Sequence, residues 1–358
     1  MAFIFKFKPN HFLMKIYAGP LFFILLAACS GAGSRQNLLL ERAEEYMAAQ
    51  KYHEAVKIYS RLIRTNRHST EAFVNRGVAY SRPAMTDSAI ADFTHTLQMD
   101  RRNYHAYLNR AFCYRQKKEF DKGLKDIDQA LTYYPDSAGL YFQKGLIFMD
   151  MKEYQIAAGQ FSKAFPLDST NVDIIIHRGI AHYRMNDFAQ AVADLKQAIG
   201  MDPERPDIYS AMAMIYLGKG KKGEALLWIN KSLELSPMNP LYLNNRGWIY
   251  LNMGDLETAL RDIEQSLEID PENAWAFRNK GVYHLKSGEY DSALEFLNKA
   301  LALEEADGVY RFLGETYFHL LDSAKGCECW DKALAAGEPE LRDGFMDYCM
   351  EYTLQTRL

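Results

Sequence analysis

The residues most able to do specific chemistry are a few thiols and a recurring set of opposite charges. Five cysteines and nine histidines are present. Cys329 follows Cys327 by two positions, so on a helix their side chains point about 200° apart and neither can readily bridge the other or form a Cys-x-x-Cys redox pair. A bond from one of them to Cys349 in an oxidising compartment, or a set of buried free thiols, both fit the spacing. The histidines show no metal-ligand spacing. No nucleophile elbow, Gly-rich phosphate loop or zinc motif occurs. The sequence therefore implies no cofactor and no metal, and it argues against an enzyme.

Cys29 stands apart from the other thiols. Lys15 precedes the apolar run Leu21, Phe22, Phe23, Ile24, Leu25, Leu26, too short to cross a bilayer as a mature helix but suited to the core of a secretory signal. The run closes on Leu26, Ala27, Ala28 and Cys29, which resembles the lipobox of bacterial lipoproteins. That resemblance implies that residues 1–28 are removed and that Cys29 is the site of lipid attachment. Several acyl chains there would hold the chain stably at a membrane. Met14 followed by Lys15 would itself open a compact signal, so the start could be Met14. A simple signal peptide cut after a small residue, or an uncleaved anchor, is the alternative. Ser30 after the cysteine resembles the outer-membrane sorting signal of bacteria with two membranes. It implies a lipid anchor at the outer membrane facing the periplasm, with the cell surface or secretion to the periplasm as alternatives. Residues 29–35 read as a flexible Gly/Ser tether with a reach of about 25 Å.

From residue 36 onward one 34-residue pattern recurs, clearest at residues 240–272. Residues 43, 77, 111, 145, 179, 213, 247 and 281 occupy its eighth position and read Ala, Gly, Ala, Gly, Gly, Ala, Gly, Gly with no insertion. A ninth copy places Gly314 there, one residue early. The spacing predicts helix A over about positions 2–14 and helix B over about 17–30. Small residues at positions 8 and 20 let the two helices touch, and residues at 11 and 24 fill the space around the crossing. In the copy at 240, Gly254 and Asp255 end helix A and Asp270 and Pro271 end helix B.

The arrangement resembles the tetratricopeptide repeat family. The resemblance covers about residues 36–340 and rests on Gly77, Tyr80, Ala89 and Phe93; Tyr114, Ala130 and Pro135; Gly145, Ala157, Phe161 and Ala164; Gly179, Ala191, Ala198 and Pro203; Tyr216, Ala225 and Pro237; Gly281, Ala293 and Ala300; and Gly314, Tyr317 and Ala333. Departures are Gly123 at position 20, His182 and His284 at position 11, and Arg67, Arg101, Ser169 and Glu305 where Pro is usual. The family implies an all-α, right-handed α-solenoid of nine helix-turn-helix units over residues 36–340. Residues 341–358 are expected to cap it, with Leu341, Phe345, Cys349 and Tyr352 on one helical face. With Cys29, the whole resembles the tetratricopeptide lipoproteins of bacteria.

Position 7, usually Leu in the family, is here Arg76, Arg110, Arg178 and Arg246 in units two, three, five and seven. In the same four units position 23 is Asp92, Asp126, Asp194 and Asp262. The coincidence predicts an ion pair from helix A to helix B inside each. In unit four, Gly159 weakens helix B and Pro166 is expected to stop it near Phe165.

In the family, positions 2, 5, 9, 12 and 13 of helix A face a concave groove. Here that implies a protein- or peptide-binding surface made of Phe112, Arg115, Phe142, Met149, Tyr183, Arg184, Met214, Leu217, Trp248, Leu251, Trp275 and Arg278, with Trp275 and Arg278 expected to be the most exposed. Position 5 of the first five units is Leu40, Val74, Leu108, Phe142 and Ile176, so the Lys/Asn clamp with which some family members hold an acidic chain terminus is not reproduced. The formal net charge is −4 with 25% charged residues, and basic residues are scattered, so there is no nucleic-acid footprint. The function implied is a membrane-tethered scaffold, adaptor or assembly factor binding an unidentified protein. The alternative is a lipoprotein that captures a peptide or glycan.

Overall fold

The computed structural model describes residues 31–82, 85–303, 308–336 and Cys349, with side chains from residue 36. Residues 1–28, Cys29 and, apart from Cys349, the expected capping segment 341–358 lie outside the described residues. Among the described residues there are eighteen α-helices and no strand. They form two compact units, one ending at Asp187 and one beginning at Phe188.

In the first unit α1 (Gly31–Ala48) pairs with α2 (Tyr52–Thr65), α3 (Thr70–Ser81) with α4 (Thr86–Met99), α5 (Tyr104–Gln116) with α6 (Phe120–Tyr133), and α7 (Ala138–Asp150) with α8 (Tyr154–Leu167), while α9 (Val172–Arg184) packs on α8. In the second, α10 (Phe188–Met201) packs on α11 (Pro206–Gly218), which pairs with α12 (Lys222–Leu235). Next come α13 (Pro240–Met253) with α14 (Leu256–Ile269), α15 (Ala274–Lys286) with α16 (Tyr290–Leu303), and α17 (Val309–His319) with α18 (Ser323–Ala335). Each unit is an α-solenoid in which helix B packs on the next helix A and successive A helices touch.

The small residues act where the pattern requires. A Cβ at Gly77 would lie 2.6 Å from the Phe93 ring, and one at Gly247 would lie 2.8 Å from Ile263. Ala55, Ala89, Ala157, Ala225, Ala259 and Ala293 at position 20 are fully buried. Gly123, the departure at that position, has Ile147 and the Ala111 carbonyl as the nearest neighbours of a Cβ, at 3.1 and 3.3 Å. Ser69, Asn103, Ser137, Asn171, Asn239 and Asn273 cap the A helices, each side chain accepting from a first-turn amide. The A-to-B turn takes a left-handed residue at position 15. Gly220, Gly254 and Gly288 fill it without strain, and Gln50, Lys118, Lys152 and Asn186 adopt it as non-glycines.

The expected ion pairs that lie within one compact unit form: Arg76 with Asp92, Arg110 with Asp126 and Arg246 with Asp262. The fourth, Arg178 with Asp194, has one member in each unit.

Two local expectations need correction. Helix α8 does not stop near Phe165; it runs through Pro166 to Leu167. The missing N–H removes one bond, to the carbonyl of exposed Ser162, which water can satisfy in this last turn. Helix α1 begins at Gly31, inside the segment expected to be a flexible tether. Extending an existing helix adds a hydrogen bond per residue and needs no new nucleus, so even Gly and Ser can be recruited. Among the cysteines, Cys327 is disulfide-bonded to Cys349, while Cys113 and Cys329 are buried free thiols.

Candidate binding surface

Successive A helices present positions 5, 6, 9 and 12 along one layer in each unit. In the first unit Phe112 and Arg115 are half-buried on α5. The Arg115 guanidinium stands 5.6 Å from the Phe112 ring centre, and its Nε lies 3.1 Å from Oδ2 of Asp150 on α7. Burial draws the Arg115 pKa down and raises that of Asp150, each partly offset by the other's charge. Phe142 is buried and meets the His177 ring edge-on at 5.2 Å. Met149 and Arg184 are half-buried, the latter over the Tyr154 ring, and Tyr183 is buried.

In the second unit Met214, Leu217 and Leu251 are core residues, no more than 2% exposed. Trp275 and Arg278 are also buried, at 8% and 3%, which corrects the expectation that they would be the most exposed. The reason is mutual packing. The Arg278 guanidinium lies between two indoles, 4.6 Å from Trp248 and 4.9 Å from Trp275, and a weakly hydrated planar cation is stabilised against aromatic faces. Phe312 of α17 adds an edge contact to Trp248 at 6.1 Å.

A row of polar side chains beside these residues was not anticipated from the sequence. Position 6 carries Asn109, Gln143, His177, Asn245 and Asn279. Asn245 Nδ2 donates to Ser210 Oγ at 3.0 Å, and Asn279 Nδ2 donates to Asn244 Oδ1 at 2.8 Å, linking α11 to α13 and α13 to α15. Asn recurring at position 6 was a visible signal. So was the change at position 5, apolar through unit five and then Ser210, Asn244, Arg278 and Arg311. Helices α13 and α15 hold no Asp or Glu, whereas α14 alone holds Glu257, Asp262, Glu264 and Glu268. Helices α13 and α15 are therefore rich in hydrogen-bond donors and positive charge. No group of three His, Cys, Asp or Glu side chains able to hold a metal occurs among the described residues. Within them, no helix is long and apolar enough to cross a membrane.

Models of the tetratricopeptide repeat match residues 105–137, 177–240 and 240–306, so the chain contains such repeats. No curated protein matches the sequence. Among solved structures, the chain is similar to one in the APC/C hetero-tetramer Cut9–Hcn1, with 19% identity, a TM-score of 0.55 and coverage of 84% of this chain; it spans 59% of that chain's length. It is also similar to a tetratricopeptide repeat protein from Parabacteroides merdae, with 18% identity, a TM-score of 0.59 and coverage of 75% of this chain and 100% of the other. Yeast Tom70 is similar at 17% identity and a TM-score of 0.60, over 90% of this chain and 70% of the other. At these identities the likeness concerns the fold.

Proposed function

We propose that this chain is a scaffold that binds a partner protein on its helix-A layer and is tethered to a membrane by lipid on Cys29. Tetratricopeptide repeats generally mediate contact between proteins. The observation that carries the reading here is the stack of Trp248, Arg278 and Trp275. Trp and Arg dominate binding energy at protein interfaces, and groups already held in place lose little freedom on binding. Crosslinking in cells followed by mass spectrometry tests it. The variant Trp275→Ala/Arg278→Ala is expected to lose the partners captured by the wild type; recovery of the same set would overturn the site.

The tether is the lipobox-like Leu26, Ala27, Ala28, Cys29, and Ser30 favours the outer membrane, facing the periplasm. The Cys327–Cys349 disulfide suits an oxidising compartment of that kind. Labelled palmitate is expected to enter the wild type and not Cys29→Ala; an unlabelled wild type would remove the lipid anchor. A second reading, capture of a glycan, draws on the same stack, because indole faces with amide donors also hold sugar rings. Saturable change of indole emission with a chito-oligosaccharide, and no crosslinked protein, would favour it.

A further inference from the structure

The turns from helix B to the next helix A differ in charge along the chain. Arg67 and Arg101 stand where the repeat usually has Pro, and the fold supplies no reason for them. The residues before them are extended, Asn66 at φ −135°, ψ 95° and Asp100 at φ −132°, ψ 95°, as Asp270 is before Pro271 at φ −131°, ψ 88°. Proline would therefore fit both turns. Nor do the arginines answer an acid: among the described residues Arg61, Arg64, Arg67 and Arg101 are exposed and enter no ion pair. Residues 61–68 hold Arg61, Arg64 and Arg67 and no acid, and residues 95–102 hold Arg101 and Arg102 against Asp100. The matching stretch of each of units three to eight is neutral or negative. Two acids lie close by. Asp100 accepts from the Arg102 amide and from Asn103 Nδ2, and the charge of Glu71, in the first turn of α3, acts on Glu44 of α1.

The topology says what this charge faces. Helices α1 and α2 form a hairpin closed by residues 49–51, so the start of α1 lies at the end of α2, where Arg61, Arg64 and Arg67 stand. At about 1.5 Å per residue, α1 is about 27 Å long and α2 about 21 Å, which carries Gly31 past the last turn of α2. Cys29 is two residues before Gly31, within about 7 Å of chain. The turn that bears Arg101 repeats the Arg67 turn one hairpin on, at the same edge of the unit. Lipid on Cys29 would fix one point at a bilayer and leave the unit free to pivot about it. We propose that the edge carrying Arg61, Arg64, Arg67 and Arg101 rests on the anionic phospholipid headgroups of the leaflet that holds the Cys29 acyl chains. Guanidinium groups suit phosphate, and a negative leaflet attracts basic side chains only within about a Debye length, so closeness to the anchor is what makes these arginines effective. The acyl chains then supply retention and the arginines orientation.

This inference deepens the reading of a tether at Cys29 and rests on it. The test takes the full chain with Cys29→Ala, which carries no acyl chain, and measures co-sedimentation with vesicles of phosphatidylcholine alone and of phosphatidylcholine with phosphatidylglycerol. The apolar run at residues 21–26 is common to every sample, so the readout is the gain in binding that the anionic lipid adds. That gain is expected to vanish near 1 M salt, where the Debye length is about 3 Å. Arg64→Ser/Arg67→Pro/Arg101→Pro is expected to reduce it at least about tenfold, and Arg64→Lys/Arg67→Lys/Arg101→Lys, which keeps the charge, to retain most of it. If the first variant does not fold, Arg64→Ser/Arg67→Ser is expected to reduce the gain at least about threefold. Absence of a gain, or an unchanged gain in the folded charge-removed variant, overturns the proposal. Equal retention of the chain on immobilised duplex DNA at the same salt would mean attraction to any polyanion and overturns it too. Palmitate on the wild type with no gain on anionic vesicles sinks this inference and leaves the tether; a gain without palmitate does the opposite.

Discussion

Arg246 donates through Nε and Nη2 to the two carboxylate oxygens of Asp262, at 2.7 and 2.8 Å, across the hairpin of α13 and α14. Its remaining arm reaches backward, Nη1 to Oδ1 of Asn230 on α12 at 3.2 Å. Arg76 and Arg110 repeat this, with Ser60 and Thr94 as the backward partners. Where position 7 is lysine the forward acid is missing and only the backward bond remains, Lys144 to Asp128 and Lys280 to Glu264. The alternation follows from shape: a guanidinium forks to two helices, whereas an ammonium is a single point of charge. Position 7 therefore ties the hairpins that carry Arg76, Arg110, Lys144, Arg246 and Lys280 to their predecessors.

The Asp262 side chain is 4% exposed and that of Arg246 is 26% exposed. Removing only the carboxylate strands a largely buried cation, so Asp262→Ala is expected to cost about 3 kcal/mol, while Arg246→Met with Asp262→Leu stays within about 1 kcal/mol of the wild type. Glu264→Ala breaks a bond to a half-exposed acid and is expected to cost under about 1 kcal/mol. Urea denaturation measures all three. Equal losses for the single and the double change would remove the pairing argument.

At Gly145, a Cβ would lie 2.5 Å from Cε1 of Phe161, a ring with no exposed surface to move into. Gly145→Ala, which in an open helix would stabilise, is expected here to cost about 1–3 kcal/mol by overpacking. Hairpin α5–α6 shows a compatible pair at the same two positions, Ala111 and Ile127, both fully buried. Adding Phe161→Ile should therefore restore most of the loss in a thermal melt. No recovery would mean that the overlap is with backbone rather than with the ring.

These two pairs show what was legible in the sequence. Helical hairpins, their register and the Arg–Asp coincidence are periodic, and a period is visible without coordinates. The backward partner at position 25 was equally periodic, but it changes type with position 7 and belongs to the preceding repeat. The burial of Trp275 and Arg278 was not legible, because it depends on where three long side chains from two helices meet. Pro166 escapes the proline rule for helix interiors because it stands in a solvated last turn, where the lost N–H costs little.

Asp126 gives a pH signature of unusual sign. Burial raises its carboxyl pKa, and the hydrogen bonds and charge of Arg110 pull it back only in part. A carboxyl whose folded pKa exceeds its unfolded value takes up protons on folding, so its ionisation costs stability above the folded pKa, and that cost vanishes as pH falls through the two values. The stability of the wild type relative to Asp126→Asn is thus expected to rise from neutral pH to about pH 3, below the unfolded Asp value of about 3.9. Urea midpoints of both proteins across that range check it; a relative fall would mean that Arg110 outweighs burial.

Gln143 occupies position 6 of α7, is fully buried, and has neither Nε2 nor Oε1 in a hydrogen bond. Its neighbours in the row are satisfied on their own helices: Asn109 Nδ2 donates to the His105 carbonyl at 2.9 Å, and His177 Nδ1 lies 2.8 Å from the Asp173 carbonyl. The longer side chain of Gln143 makes no such bond to its own helix. An amide left unmet in the interior opposes folding, so Gln143→Leu, similar in volume and without polar atoms, is expected to raise stability by about 1–2 kcal/mol. An increase in Tm supports this accounting. A decrease would show that the amide is hydrogen-bonded in solution, with buried water as its partner.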